Sequence, residues 1–487
     1  MTKIVKKSYD VGVFVFRRDL RLDDNLGLID MLNSCDRVLP LFCLDPLQIL
    51  LNDRNKEYFS THAVQFMCES LNDLNAQLNQ RDSKLFMMHA LPKDAIHAVL
   101  QTLKQSKFSR IAVGWNNDYS EYSQKRDAEM TAVCKESKVD TMINLADYTL
   151  RPIAEYARAN GEGFKKFSSF WQTAASQKPE EPKKCEGKFV ESFTIPDEFT
   201  KPLTFFYTEN PKLAQRGGTT EGQRRLSTLG KFKDYNDKRD FLSFNPTNLS
   251  AALNFGCISV RQAYYAIKEH LGNSTDLIKQ LYWRDYHHSI AYYLPHALSY
   301  KRMIDPRFDS IAWKDNKEDW EKLMEAKTGF LLIDAAIEQM KQTGYVPNRA
   351  RMLLGMMWTK FMRIHIYHPS YGLQVGFSKY LVDAVGPTQN KLNCAWIIEL
   401  DFAGRRYAPP GAACAGRPMD ISNKQIKKWD ADGKYIKQWL PHLKAVPVEA
   451  LVDWSEGVAK RYKNIHPAPI FDAKQRLDEW VEACRGL

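Results

Sequence analysis

Gly344-Tyr345-Val346-Pro347-Asn348-Arg349-Ala350-Arg351-Met352 runs directly into the apolar stretch of Leu353, Leu354, Met356, Met357 and Trp358. Almost no charge interrupts that stretch, which predicts a helix driven into a core, with an aromatic ring, an amide and two guanidiniums at its mouth. Polar groups in front of an apolar wall suit a pocket floor that meets a flat aromatic ligand on one side and an anionic polymer on the other. Taken alone, the segment reads first as an ordinary buried helix capped by surface arginines. The sharper reading rests on what flanks it.

Around that centre the pattern is helical. After Gly217-Gly218-Thr219-Thr220 the strand signal disappears, so a mostly α domain is expected over 217–487. Residues 178–212 lose periodicity and gain proline and charge (Lys178-Pro179-Glu180-Glu181-Pro182-Lys183-Lys184), which marks a linker, drawn over 147–216. Within it, Phe164, Phe167, Phe170 and Trp171 read as an aromatic strap that packs it to one domain. Towards the N-terminus, β-branched and aromatic runs at 11–16, 38–44, 84–88, 110–114 and 141–145 alternate with helical patterns. In one of these helices Ser60 or Thr61 caps a segment carrying Val64, Met67, Leu71, Leu74 and Leu78. Such alternation predicts a doubly wound parallel sheet, an α/β domain over 8–146. No glycine-rich dinucleotide or P-loop motif is present, so the glycines identify no phosphate site.

Composition narrows the function classes. A chain of 487 residues exceeds what one core usually serves. Its net charge of +11 favours a polyanionic partner such as nucleic acid. Nine scattered cysteines without a C-x-x-C pair argue against a disulfide framework or a zinc site, and no metal is expected. There is no apolar run of membrane-spanning length and no signal-peptide pattern, so a soluble intracellular protein is expected, as a monomer.

Four blocks carry a family resemblance: Phe16-Arg17-Arg18-Asp19-Leu20-Arg21-Leu22-Asp23-Asp24-Asn25, Lys327-Thr328-Gly329-Phe330-Leu331-Leu332-Ile333-Asp334-Ala335-Ala336, the 344–352 segment, and Trp429-Asp430-Ala431-Asp432-Gly433-Lys434-Tyr435-Ile436-Lys437-Gln438-Trp439-Leu440-Pro441. In this order they resemble the DNA photolyase and cryptochrome family, from about Val11 to beyond Leu440, and most closely its class I cyclobutane pyrimidine dimer photolyases. The resemblance implies an all-α FAD-binding domain behind the α/β domain, and light-driven repair of pyrimidine dimers in DNA by a carbon–carbon lyase. The alternatives are a blue-light cryptochrome without repair and a six-four photolyase.

Carried over residue by residue, the resemblance implies a flavin-phosphate segment at Tyr235, Thr247, Asn248, Leu249 and Ser250, where hydroxyls and amides at a helix start meet a pyrophosphate. A plain N-cap by Thr247 or Asn248 is the other reading of the same residues. Arg351 is expected to pair with Asp383 over the flavin, and Asn390 or Gln389 to supply an amide near its reactive nitrogen. In Gln280-Leu281-Tyr282-Trp283-Arg284-Asp285-Tyr286-His287-His288, Trp283 would stack on the extruded lesion and Gln280 would bind a pyrimidine edge. Arg284 would reach a phosphate and touch the cofactor. The other reading buries Trp283 and leaves His287 and His288 as surface polar groups. Asn348 and Met352 match the lesion contacts of cyclobutane-dimer enzymes, and Arg239 and Arg349 are expected on DNA phosphates.

Departures are equally specific. Glutamine at 280 is a feature of six-four enzymes and animal-type cryptochromes, Pro347 replaces a usual histidine, and Val385 replaces a second acid. Trp313 matches the outer member of the family's tryptophan electron chain. The inner members are not evident, with Trp396, Tyr367 or Tyr371 as substitutes, since Cys394-Ala395-Trp396 replaces Trp-x-Trp. The 114–122 segment resembles the loop beside a folate or deazaflavin antenna. Its other reading is a turn in which Asn117 or Asp118 caps the next helix.

Overall fold

The computed structural model describes residues 7–49, 60–106, 108–164, 166–273, 275–293, 309–365, 368, 370, 379–383 and 420–484. Five strands, β1 (Tyr9–Phe16), β2 (Cys35–Cys43), β3 (Phe86–Met88), β4 (Ile111–Asn116) and β5 (Asp140–Asn144), form one parallel sheet in the order β3-β2-β1-β4-β5. Successive residues of a strand point to opposite faces. Along β1, Phe14 and Phe16 therefore join one core with Leu28 and Met31 of the Leu26–Ser34 helix and Val64 and Leu71 of the Thr61–Asn79 helix. Val11, Val13 and Val15 join another, with Ile96 and Val99 of the Pro92–Gln105 helix and Met130 of the Glu121–Glu136 helix. With both faces covered, the inner strands β1 and β4 are the apolar runs that the sequence displays, while the edge strand β5 is largely exposed.

Ser60 caps the Thr61–Asn79 helix by accepting from the Ala63 amide. The Glu121–Glu136 helix is capped by Ser120, which accepts from Ser123, and not by Asn117 or Asp118. Asp118 is instead drawn into an ion pair with Arg18 at 3.0 Å, a stronger partner for a buried carboxylate than a helix amide.

The linker is held at two places along its length. Residues 188–190 bond to Val38 of β2, covering backbone groups that the short β3 does not reach. The aromatic strap packs on the helical domain: Phe170 is fully buried and lies 5.2 Å from Tyr286, and Trp171 meets Tyr282 edge-on at 4.8 Å.

From Thr219 onward the described elements are helical. The first core continues into this part through Leu226, Leu253, Ile267 and Tyr286. A separate core gathers Leu331–Thr343, Asn348–Met356, the π turn Met357–Phe361 and Ala473–Ala483. The opening segment thus forms the expected helix, with Leu353, Leu354 and Met356 buried and its Asn348 end at the domain's cavity. No described helix is long and apolar enough to cross a membrane.

Candidate functional site

A cavity of about 180 Å³ opens in the helical domain. Its walls bring together Tyr235, Thr247, Asn248, Leu249 and Ser250 from one chain segment, Gln280 and Arg284 from a second, Asn348 and Arg351 from a third, and Asp383 from a fourth. Leu253, Ile267, Leu277, Leu281 and Val346 make it apolar between those groups. This mixture of an apolar wall and a few placed polar groups suits a mostly apolar ligand with a few fixed polar contacts.

One buried ion pair fixes the floor. Arg351 Nη1 and Nη2 each donate to Asp383 at 2.9 Å, with the side chains 3% and 1% exposed, and Arg351 Nε donates to the Val346 carbonyl at 3.0 Å. Ser250 Oγ donates to the same carboxylate at 2.7 Å, tying the 247–250 segment to it. Gly344 makes the geometry reachable. It ends the Leu331–Thr343 helix at φ 69°, a left-handed conformation open to glycine, and its carbonyl accepts from the Val382 amide at 2.9 Å. The α/β domain holds the same segment from behind. Ser60 Oγ donates to the Leu381 carbonyl, and His62 Nδ1 lies 2.9 Å from the Tyr380 carbonyl. Asn210 Nδ2 donates to His62 Nε2 at 3.0 Å, which leaves the His62 proton on Nδ1 for Tyr380.

The Asp276–Tyr293 helix presents Leu277, Gln280, Leu281, Arg284 and His288 to the cavity, a stripe at helical spacing. Arg284 is buried and donates to the carbonyls of Tyr148 and Leu253 beside Asp285, so its guanidinium faces inward and not towards an external phosphate. Asp285 accepts from the Leu150 amide at 2.7 Å and the Tyr156 hydroxyl at 2.8 Å, and burial raises its pKa to about 6. His287 and His288 are each 1% exposed, which overturns their reading as surface polar groups. Burial lowers the pKa of His287 to about 4. It also holds His288 well below the ordinary histidine range, with the Arg284 charge adding to it. Both rings are neutral near pH 7.

The residues expected on DNA and lesion divide into those that line the cavity and those outside its wall. Gln280 and Asn348 line the cavity. Met352 stands a turn beyond Asn348, its sulfur 3.4 Å from Arg349 Nη1. Arg349 pairs with Asp240 at 2.6 Å and lies over the Trp429 ring at 4.3 Å; Arg239 pairs with Asp276 at 2.9 Å. Trp283 departs from expectation. Phe167 of the strap stacks on one face of its ring at 3.5 Å and 8°, leaving at most the opposite face for a base. Trp313 lies away from the cavity, 5.9 Å from Trp480 and edge-on to His365 at 5.1 Å. Trp396, Asn390, Gln389, Tyr367 and Tyr371 lie outside the described residues.

The 247–250 segment also departs in detail. Neither Thr247 nor Asn248 caps the short Ser250–Asn254 helix. Gln215 does that work from outside, accepting from the Ala251 amide at 2.8 Å. Asn248 takes φ 52°, a conformation asparagine tolerates better than most residues. Leu253 and Asn254 also line the cavity and were not singled out from sequence; His288 lines it too, although its alternative reading put it on the surface, and Tyr345 lines it at the mouth of the opening segment, where an aromatic ring is expected. Helical spacing from Gln280 and Arg284 is the signal by which sequence could have placed His288 on the same wall.

The dinucleotide implied by the resemblance needs an apolar slot with unmatched polar atoms around it, and the cavity has both. Asn248 Oδ1, Asn254 Nδ2 and His288 Nδ1 are buried at its wall with no partner among the described residues. Leaving such atoms unmatched costs about 1–3 kcal/mol each, a cost that a bound ligand removes.

The family model for DNA photolyase matches residues 13–186, and that for the FAD binding domain of DNA photolyase matches residues 277–486. A deoxyribodipyrimidine photo-lyase of Synechococcus is 27% identical, with 96% of this chain and 95% of the relative covered. A cryptochrome-1 of Erithacus rubecula is 24% identical over 94% of this chain and 75% of the relative, and a (6-4)DNA photolyase of Oryza sativa 26% over 94% and 86%. The solved archaeal photolyase from Sulfolobus tokodaii, described with two FAD molecules, superposes with a TM-score of 0.80 at 30% identity, covering 98% of this chain and 100% of that one. Both domains, in the same order and over almost the full length, place the chain in the DNA photolyase family, with that family's FAD-binding domain in its helical half.

Proposed function

We propose that the protein repairs cyclobutane pyrimidine dimers in DNA in a light-dependent reaction. Reduced FAD, when bound, supplies the photoexcited electron that splits the dimer. The chain's own residues then have three tasks. Arg351, Asp383 and Ser250 form a rigid, dry floor at the cavity. Gln280 and Asn348 offer amides that donate to or accept from pyrimidine edges at the mouth. Arg239 and Arg349 exchange their carboxylate partners for backbone phosphates as the strand docks.

The observation that carries the choice of lesion is the proton inventory of the cavity. Six-four repair, as the family resemblance implies it, requires a histidine that moves a proton. His288 is the one histidine among the described lining residues, and it is buried and neutral, so it has no proton to deliver as an acid near pH 7. Asn348, Arg349 and Met352 cannot take that part. A second reading, a photoreceptor without repair, is favoured by the Phe167 ring already stacked on Trp283. We also retain the 114–122 segment as the place for a folate or deazaflavin antenna, to be sought as a second chromophore released on denaturation.

The test is repair of duplexes carrying one defined lesion by protein whose FAD content and reduction are measured by absorbance. Cyclobutane-dimer repair without six-four repair is expected. Six-four repair alone overturns the choice, and inactivity on both lesions with reduced FAD bound transfers the case to the photoreceptor.

A further inference from the structure

Few large apolar side chains stand exposed among the described residues, and one of them lies six residues beyond the cavity residue Tyr235. Phe241 is 44% exposed. The segment that carries it is fastened on both sides: the Phe241 amide donates to the Lys238 carbonyl at 3.0 Å, the Phe244 amide donates to Phe241 at 3.1 Å, and the next residue, buried Leu242, donates to the Trp429 carbonyl at 2.9 Å. The ring's exposure is therefore imposed by a pinned backbone.

Its surroundings are cationic and aromatic. The preceding residue, Asp240, pairs with Arg349, the neighbour of the cavity residue Asn348. Arg349 and Lys428 both lie over the Trp429 ring, at 4.3 and 4.4 Å. Lys238 and Arg239 stand three and two residues before Phe241, paired with Asp234 and Asp276. Tyr235, at the start of the same segment, is on the cavity wall. Positive side chains around a projecting ring are the arrangement by which proteins hold unstacked nucleic-acid bases, the cations meeting phosphates and the ring meeting a base face.

We propose that Phe241 stacks on a nucleobase of the bound DNA beside the extruded dimer, adding a sequence-independent contact to the phosphate contacts of the rim. The assignment rests on the DNA-repair reading above. It gives the docked strand a fixed apolar stop next to the cavity mouth, a task that the surrounding ion pairs cannot perform because each of them is exchangeable.

Binding of full-length, FAD-loaded protein to a duplex with a single cyclobutane dimer, measured across a salt series, tests this. Phe241→Ala is expected to weaken binding about ten- to a hundredfold at every salt concentration, with the log–log salt slope unchanged because no phosphate contact is lost. Phe241→Trp, which keeps a stacking face, is expected to bind within about threefold of wild type. FAD content and thermal unfolding of each variant separate a lost contact from a lost fold, and Phe205→Ala, an exposed ring on the linker, serves as control. Wild-type affinity in a folded Phe241→Ala variant overturns the proposal, as does a loss accompanied by a shallower salt slope. Wild-type protein that binds no dimer-containing DNA removes the repair reading, and this assignment with it.

Discussion

The Arg351–Asp383 pair is the feature whose removal should be felt most. Arg351→Met keeps most of the side-chain volume and deletes the charge. It strands the Asp383 carboxylate at 1% exposure with the Ser250 hydroxyl at 2.7 Å as its remaining close donor among the described residues, and deprives the Val346 carbonyl of its 3.0 Å partner. An uncompensated buried charge of this kind costs about 3–5 kcal/mol. Two further consequences follow from the same physics. The penalty should shrink as pH falls and the stranded carboxyl takes up a proton, and Arg351→Met combined with Asp383→Leu should be at least about 2 kcal/mol more stable than the sum of the single losses. Urea unfolding of the FAD-free protein, followed by near-ultraviolet circular dichroism at several pH values, measures all three quantities without the ligand's own contribution. A loss below about 1 kcal/mol in Arg351→Met, or a double variant as unstable as the sum of the singles, would refute this account of the cavity floor.

Other expectations are independent of that pair. Gln280→Glu should retain or improve repair of cyclobutane dimers and Met352→His should impair it, as read by product formation under light at fixed FAD content. Arg349→Ala should lower the log–log salt slope of DNA binding by about 0.9, and an unchanged slope would confine Arg349 to its pairing with Asp240. Trp313→Phe should leave repair from chemically prereduced flavin intact, since Trp313 stands beside Trp480 and His365 and away from the cavity wall; lost repair in that assay contradicts its placement in recharging alone. His287 binds its proton with a pKa of about 4 when folded, against an ordinary value near 6.5 when unfolded. The unfolded chain therefore protonates first, and stability should fall as pH drops from about 6.5 to about 4, by up to about 3 kcal/mol from this group. Relative to His287→Gln, wild type should lose stability in that window and show a constant difference above it.

Much of the architecture was legible because it is written in short-range pattern. The alternation that sends Phe14 and Val15 to opposite faces, and the helical spacing of Val64, Leu71 and Leu78, depend on neighbours two to four residues away, so local sequence suffices to read them. The same holds for the helix entered at Asn348, whereas Gln280 and Arg284 were assigned from the family resemblance and not from spacing. What sequence could not decide was which polar residues would be buried and what would face them. Asp118 left the helix cap to Ser120 because Arg18 reached it from another loop. His287 and His288 are interior because the linker and the α/β domain close over their helix, and Trp283 has a covered face because Phe167 arrives from the strap. The segment bearing Asp383 is held by Ser60 and His62, residues of the other domain with no local sign of that duty. A side chain's tendency to form a helix or strand is a property of its immediate chain. Its burial, its charge state and its partner are set by whatever the folded chain brings alongside, and here that was decided only when the two domains and their linker packed together.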